Sequence, residues 1–104
     1  MLVSEGNYSD AHGSPYTYKT LEIGELVGAP VPGTMTAVWW ENQIDPAITF
    51  GIPQVTSLDI NGRPLENQQL NPDIEVYNSP EEMERGYDAQ LIEATRHLMN
   101  KTSK

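Results

Sequence analysis

The chain changes from an apolar strand into a helix over residues 5–15, Glu5-Gly6-Asn7-Tyr8-Ser9-Asp10-Ala11-His12-Gly13-Ser14-Pro15. A serine at this seam can point its hydroxyl out of a tight turn. The next backbone N–H and the positive end of the helix would then stabilise a developing oxyanion. Ser9 is therefore a candidate nucleophile, but a serine before a helix is also an ordinary N-cap.

The composition bounds the size and class of the protein. A chain of 104 residues is long enough for one small domain with one core and too short for two. Apolar residues make up 38%, and glycine and proline contribute 8 residues each, so turns and loops should be abundant. We expect a folded piece that leans on another chain or segment.

The charge and the absent residue types exclude several function classes. The formal net charge of −9 comes from 15 acidic and 6 basic residues, and the basic residues are scattered, which argues against a nucleic-acid partner. The absence of cysteine excludes disulfides and thiol nucleophiles but assigns no compartment. No apolar run approaches the roughly 20 residues of a membrane span, and the N-terminus lacks a signal pattern. No metal-ligand spacing occurs, and no cofactor is expected.

The first third of the chain predicts a strand, a helix and a strand. Residues 1–4 are typical of the end of a buried strand that continues something upstream. Ser14 can cap a helix that opens at proline and runs over Pro15–Ile23, with Gly24 as its stop. Residues Val27–Val31 predict a brief strand that is broken by prolines.

The middle of the chain predicts three extended segments. Residues Met35–Trp40 are apolar, aromatic and β-branched, which favours a strand. Because Trp39 and Trp40 are adjacent, they should face opposite sides. One of them then meets a neighbouring segment, subunit or pocket, or merely shields the sheet edge.

A hairpin is expected next. The extended region Ile48–Ile60 leads into Asn61-Gly62, the dipeptide that best fits a type I′ turn. Residues Arg63–Leu70 should pair back with it as the return strand. Another short strand, Ile74–Tyr77, follows a turn.

The tail changes to a helical pattern. Ser79-Pro80-Glu81-Glu82 is typical of a capped helix start. Gly86 interrupts this helix, and Asp88 can cap a second one. The element order β-α-β-β-β-β-α predicts a mixed α/β fold.

Four blocks of the sequence carry a resemblance to a known family. They are Asn7-Tyr8-Ser9-Asp10-Ala11, Leu26-Val27-Gly28 to Gly33-Thr34, Leu65-Glu66-Asn67-Gln68-Gln69-Leu70-Asn71-Pro72-Asp73-Ile74-Glu75-Val76, and Gly86-Tyr87-Asp88-Ala89-Gln90-Leu91. In this order they resemble the tricorn-type serine peptidases of peptidase family S41, which are related to the C-terminal processing proteases. The resemblance implies a partial ClpP/crotonase-like α/β fold, with a nucleophile helix and a C-terminal helix. Residues 1–104 would then be the C-terminal portion of a catalytic domain.

The resemblance also implies roles for individual residues. Ser9 would be the nucleophile, and the Asp10 N–H would be one donor of the oxyanion hole. The Asp10 side chain would shape the site for the residue before the scissile bond and favour a basic residue there. Glu66 matches the acidic member of a Ser-His-Ser-Glu constellation, where it would fix a hydroxyl or water that orients the histidine. The alternative for Glu66 is a solvent-facing strand carboxylate.

The general base is expected outside this sequence. The C-terminal processing proteases use a lysine downstream of the serine, and the corresponding neighbourhood, Pro32-Gly33-Thr34-Met35, contains none. The resemblance therefore implies a histidine base that lies upstream of this chain. His12 lies three positions after Ser9, but Gly13 and Pro15 make that turn irregular. We expect a structural or substrate-rim role for His12.

The sequence thus predicts a fragment of a serine peptidase that forms an acyl-enzyme on Ser9 and is inactive without the upstream histidine segment. Its partners would be a peptide or oligopeptide, the upstream part of the same protein and, as an option, further copies of itself. The alternative is a non-catalytic peptide-binding or assembly module on a peptidase scaffold, since an exposed strand edge can bind an extended peptide.

Overall fold

A parallel sheet of three very short strands lies at the centre of the fold. The structure is a computed structural model and describes residues 1–103. Its elements in chain order are β1 (Leu2–Val3), α1 (Asp10–Thr20), β2 (Val27–Gly28), β3 (Thr36–Asn42), β4 (Thr49–Thr56), β5 (Ile74–Glu75), α2 (Pro80–Glu84) and α3 (Ala89–Thr102). The central sheet has the order β1-β2-β5, and all its pairs are parallel. The predicted mixed α/β class is confirmed.

The core is small and lies along the central sheet. Val3, Leu26 and Val31 form a buried cluster, against which Tyr18 of α1 and Leu70 pack. Helix α3 lies against β1 and β2. No residue of α3 is fully buried, so the helix covers the sheet only in part. The described residues thus leave much apolar surface uncovered, as the low apolar content predicted.

Helix α1 begins at Asp10, five residues earlier than predicted, and its N-cap is Ser9. The prediction that Ser14 caps the helix is wrong, because its hydroxyl donates to the Asp10 carbonyl within the helix, 2.9 Å away. Pro15 therefore lies inside the helix and cannot donate to the carbonyl four residues before it. The side chain of Asn7 donates to that carbonyl, at Ala11, over 3.0 Å. The proline is tolerated because this donor replaces its missing N–H.

Strands β3 and β4 form an antiparallel hairpin apart from the central sheet. Trp39 pairs with Ile52 and Trp40 with Gly51, so the two indoles lie on opposite faces, as predicted. The radius of gyration is 17.4 Å, against about 13 Å for a compact domain of this length. The hairpin therefore projects from the body.

The predicted return strand over residues 63–70 is wrong. Pairing across the Asn-Gly turn stops after Leu65: it consists of the isolated bridge of Leu58 with Pro64 and hydrogen bonds from the Asp59 N–H to the Arg63 carbonyl (2.7 Å) and from the Leu65 N–H to the Ser57 carbonyl (2.9 Å). Asn61 does not have the positive φ that a type I′ turn requires, and Asp59 instead accepts the backbone N–H groups of Asn61 and Arg63 with its carboxylate. Further along, Leu70 pairs with Val31. Contacts to the core therefore prevailed over the local hairpin.

The tail follows the prediction closely. Ser79 and Glu82 form a reciprocal capping box on α2. Asp88 caps α3 by accepting the Leu91 N–H over 3.0 Å. His97 of α3 is half-buried and hydrogen-bonded to Glu25 in the loop before β2. None of the helices described over residues 1–103 has the length and apolarity needed to cross a membrane.

Candidate active site

Ser9 has an unusual backbone conformation at the start of α1. Its φ of 55° and ψ of −123° lie in a region that side-chain-bearing residues rarely adopt, at a cost of roughly 1–3 kcal/mol. Although Ser9 occupies the N-cap position, its hydroxyl makes no capping hydrogen bond. The ordinary N-cap role is therefore not the one that this side chain takes, and strain of this kind is often associated with functional sites.

The backbone around Ser9 is fixed from two sides. Its N–H donates to the Thr34 carbonyl over 2.8 Å, and its own carbonyl accepts the N–H groups of His12 and Gly13. Asn7 accepts the N–H and the hydroxyl of Ser4 with its side-chain oxygen while its amide donates to α1. Asn7 thus ties the strand end before Ser9 to the helix after it. The sequence analysis did not assign this role to Asn7. The available signal was a proline inside the helix that follows the end of a buried strand.

Asp10 follows Ser9 as the first helical residue. Its N–H donates to no acceptor among residues 1–103 and lies at the positive end of the α1 dipole. Its side chain is exposed and lines a groove of about 510 Å³ together with Gly13, Thr17 and Met35. Residue 10 thus places a backbone N–H beside the strained Ser9 and a carboxylate in the adjoining groove.

Glu66 lies across from the segment that holds Ser9. One oxygen, Oε2, accepts the N–H of Met35 at 2.6 Å, and the N–H and hydroxyl of Thr36 at 2.8 Å each. These donors lower the pKa of Glu66, with the Met35 N–H as the largest cause. No donor among residues 1–103 reaches the other oxygen, Oε1. Glu66 is therefore an anchored carboxylate with one oxygen left to accept a further donor.

A close backbone approach brings Glu66 to this place. Asn67 donates its N–H to the Gly33 carbonyl over 2.6 Å, and Gly33 lies so near the backbone of Gln68 that a side chain there would clash. Thr34, whose carbonyl accepts the Ser9 N–H, follows Gly33 in the chain. The loop that carries Glu66 and the turn that carries Ser9 are thus joined through residues Gly33–Thr36. The alternative expectation, that Glu66 is a solvent-facing carboxylate on a strand, is wrong, because Glu66 is half-buried and lies in no strand.

His12 lies in the first turn of α1 and is 1% exposed. Its ring packs edge-on against Tyr16, and its Nδ1 has no hydrogen-bond partner among the described residues. Burial lowers the pKa of His12, and the nearby Glu66 carboxylate opposes this shift. The structural role expected for His12 fits this position. The expected substrate-rim role of His12 is wrong, because a side chain this buried offers no surface to a substrate.

The candidate site thus comprises Ser9, the Asp10 N–H and Glu66, and no hydrogen-bond partner of the Ser9 hydroxyl lies within residues 1–103. No histidine nitrogen makes a hydrogen bond to Ser9 among residues 1–103. No three histidine, aspartate or glutamate side chains in that range lie close enough to hold a metal ion. The Asp10 N–H could bind an anionic oxygen, and the Glu66 carboxylate could accept a further donor.

One solved structure, described as the crystal structure of the tricorn protease, is similar to this chain with a TM-score of 0.86 and 21% sequence identity. The match covers 99% of this chain and 10% of that chain, and at this identity it establishes the fold. No curated protein matches the chain. The chain thus has the mixed α/β fold of one part of a much longer protein.

The model of one family also matches the sequence. Peptidase family S41 covers residues 1–76, which include Ser9, Asp10 and Glu66. The chain belongs to peptidase family S41.

Proposed function

We propose that this chain supplies the nucleophile half of a serine peptidase active site. The single observation that carries the proposal is Ser9: it is strained, stands at a helix N-terminus and leaves its hydroxyl free of the cap. Family membership supports peptide bonds as the substrate class. Residues 1–104 would be the C-terminal portion of the catalytic domain, and the upstream part of the same protein would complete it.

In the proposed reaction, Ser9 Oγ attacks the carbonyl carbon of a peptide while a histidine from the upstream part removes the hydroxyl proton. The carbonyl oxygen becomes an oxyanion, which the Asp10 N–H stabilises. The carbon–nitrogen bond then breaks, and the same proton passes to the leaving amine. Water, activated by the histidine, hydrolyses the resulting ester and regenerates the Ser9 hydroxyl.

Glu66 would act through the group that orients the histidine. Its Oε2 is already saturated by three donors from Met35 and Thr36, which leaves Oε1 to accept a hydroxyl or water from the upstream part. A carboxylate held in this way stays ionised and fixed in direction. It is therefore suited to positioning the donor rather than to taking the substrate proton.

The proposal predicts that the isolated chain is inactive, because loss of the base removes most of the rate enhancement. A serine-directed fluorophosphonate should label Ser9 only when the chain is joined to its upstream part. Efficient labelling of Ser9 in the isolated chain would contradict the requirement for an upstream base.

A second experiment separates catalysis from peptide binding alone. In the longer protein, Ser9→Ala should abolish peptide hydrolysis while binding of an uncleavable peptide persists. Ser103→Ala is the control, since Ser103 is an exposed serine at the end of α3 and does not line the groove beside Ser9. If hydrolysis is unchanged in Ser9→Ala, the chain is instead a peptide-binding or assembly module.

A further inference from the structure

A tight turn over residues Leu65–Gln68 carries Glu66. The N–H of Gln68 donates to the Leu65 carbonyl over 3.1 Å and closes the turn. The third residue, Asn67, has a φ of 62°, in the left-handed region that a type II β-turn requires at this position. Glycine and asparagine adopt this region most readily. Glu66 therefore stands at a corner whose shape depends on the backbone of Asn67.

The side chain of Asn67 does not hold the turn in place. It is exposed, and the hydrogen bond that fixes this residue comes from its backbone N–H, which donates to the Gly33 carbonyl over 2.6 Å. The residue type at position 67 thus matters through the φ that it permits. A left-handed φ costs most other residues energy, because Cβ then approaches the following carbonyl oxygen.

Gly33 provides the space against which this turn packs. A Cβ on Gly33 would come within 2.7 Å of the Asn67 carbonyl carbon and still closer to the backbone of Gln68. These are backbone atoms, which cannot turn aside as the end of a flexible side chain can. The absence of a side chain at Gly33 is therefore a condition for the contact between the two loops.

The segment Gly33–Thr36 binds the turn on one side and Ser9 on the other. Two successive carbonyls of this segment accept the N–H groups of Asn67 and Ser9, over 2.6 Å and 2.8 Å. The next two N–H groups of the segment donate to Oε2 of Glu66. The adjacent residues Glu66 and Asn67 thus bind one segment together, through a carboxylate and an N–H. The conformation of Asn67 determines whether both can do so at once.

We propose that Asn67 and Gly33 are positioning residues of the active site, which act through Glu66. The left-handed turn at Asn67, packed on Gly33, directs the carboxylate so that Oε2 binds the segment next to Ser9 and Oε1 is left for the donor that orients the base. This role rests on the proposed function, since it assigns that donor to the upstream part. Neither residue contacts the substrate in this arrangement.

Substitution of Asn67 in the longer protein separates the backbone conformation from a side-chain contact. Asn67→Gly keeps the turn and should retain kcat/KM for a peptide within about threefold. Asn67→Val, whose branched Cβ opposes a positive φ, should lower kcat/KM at least about tenfold. A similar loss in both variants would mean that the side chain matters, and retention in both would mean that the turn does not. Either result overturns the proposal.

Glu22 provides a matched control. It is exposed, has a φ of 52° and lies beyond the far end of the 11-residue helix α1 from Ser9. Glu22→Val and Glu22→Gly remove the same carboxylate and differ in backbone freedom, as the two Asn67 variants do. Their kcat/KM values should agree within about twofold, because strain outside the site affects stability instead. A tenfold difference at position 22 would make the effect a general one and overturn the proposal.

The stability of the 104-residue chain at different pH values shows whether the effect passes through Glu66. The donors of Met35 and Thr36 hold the pKa of Glu66 below 4.5, so their contribution is present above that pH and is lost as the pH falls through the folded value. Asn67→Val should therefore lower the free energy of unfolding relative to Asn67→Gly most strongly at neutral pH. The difference should shrink below pH 4.5.

A turn with only a structural role would give a difference that does not depend on pH. The charge of His12, which also acts on Glu66, is present in every variant. In the Glu66→Gln background, the pH-dependent part of the difference between Asn67→Val and Asn67→Gly should disappear. A pH-independent difference in the parent chain, or a pH-dependent one that persists in Glu66→Gln, would overturn the proposal.

The proposed function and the role of Asn67 can fail separately. If the longer protein neither hydrolyses peptides nor reacts with a fluorophosphonate at Ser9, the proposed function fails, and the pH dependence of unfolding still decides whether Asn67 positions Glu66. If the longer protein is active and Asn67→Val matches Asn67→Gly in both measurements, the proposed function stands and the positioning role is overturned.

Discussion

The side chain of Asn7 donates to the Ala11 carbonyl that Pro15 leaves without a helical donor, over 3.0 Å. The same side chain accepts two donors from Ser4. Three hydrogen bonds from one amide thus hold the strand end, the Ser9 turn and the first turn of α1 in one arrangement. The strained backbone of Ser9 persists because its surroundings are fixed in this way.

Asn7→Ala should therefore destabilise the chain. We expect the free energy of unfolding to fall by about 1–3 kcal/mol, since the substitution leaves the Ala11 carbonyl and the Ser4 N–H without these partners. Urea denaturation followed by circular dichroism measures it. Asn100→Ala, at an exposed asparagine of α3, should change the value by less than about 0.5 kcal/mol. An equal effect in both variants would contradict the role of Asn7 in holding the strand end and α1 together.

The hydrogen bonds that the Glu66 carboxylate accepts from Met35 and Thr36 are sensitive to acid. Because the N–H and hydroxyl donors of Met35 and Thr36 hold the pKa of Glu66 below the ordinary 4.5, the contact stabilises the folded state above about pH 4.5. It is lost as the pH falls through the folded value. Glu66→Gln should lower the free energy of unfolding at neutral pH, and the difference should shrink as the pH falls below 4.5 and through the folded-state titration. Glu41→Gln is the control, and a pH-independent difference for Glu66→Gln would contradict the ionic origin.

His12→Leu tests whether His12 could serve as the base. A buried leucine removes an Nδ1 that has no partner, so the free energy of unfolding should stay unchanged or rise by up to about 2 kcal/mol. In the longer protein, the rate of peptide hydrolysis should change by less than about threefold. Loss of a true base would lower that rate by roughly 10⁴-fold or more, and such a loss would make His12 the base.

Asp10→Asn tests selection at the groove beside Ser9. If the Asp10 carboxylate binds a basic side chain before the scissile bond, the longer protein should prefer arginine over leucine there. The substitution should reduce this preference by roughly fivefold to tenfold, as expected for one partly exposed charge pair. Competing fluorogenic peptides measure the ratio of kcat/KM values. Asp45→Asn, at the distal end of the hairpin, should leave it unchanged, and a similar change there would remove Asp10 as the selector.

The residues that specify local structure were readable from the sequence. The capping box of Ser79 and Glu82 and the Asp88 cap each depend on residues within four positions, so pattern alone locates them. The opposite orientation of Trp39 and Trp40 follows from the geometry of any strand. The mixed α/β class and the S41 family also follow from the order of segments along the chain.

The errors arose where a distant contact outweighed a local preference. Ser14-Pro15 has the features of a helix start, but Asn7 supplies the donor that lets α1 continue through the proline. Residues 63–70 have the composition of a return strand, but pairing of Leu70 with Val31 draws them to the core. Neither outcome is encoded in a short window.

The sequence by itself determined the caps of α2 and α3 and Ser9 as the candidate nucleophile, because each depends on residue type and short-range spacing. Four collinear blocks along the chain carried the resemblance to the family. Only the tertiary structure decided that the Ser9 hydroxyl is free of the cap, that His12 is buried and that Glu66 binds the backbone at Met35 and Thr36. The Glu66 contacts join residues 31 and 30 positions apart. Their approach is fixed by packing and by hydrogen bonds between loops, which no local pattern records.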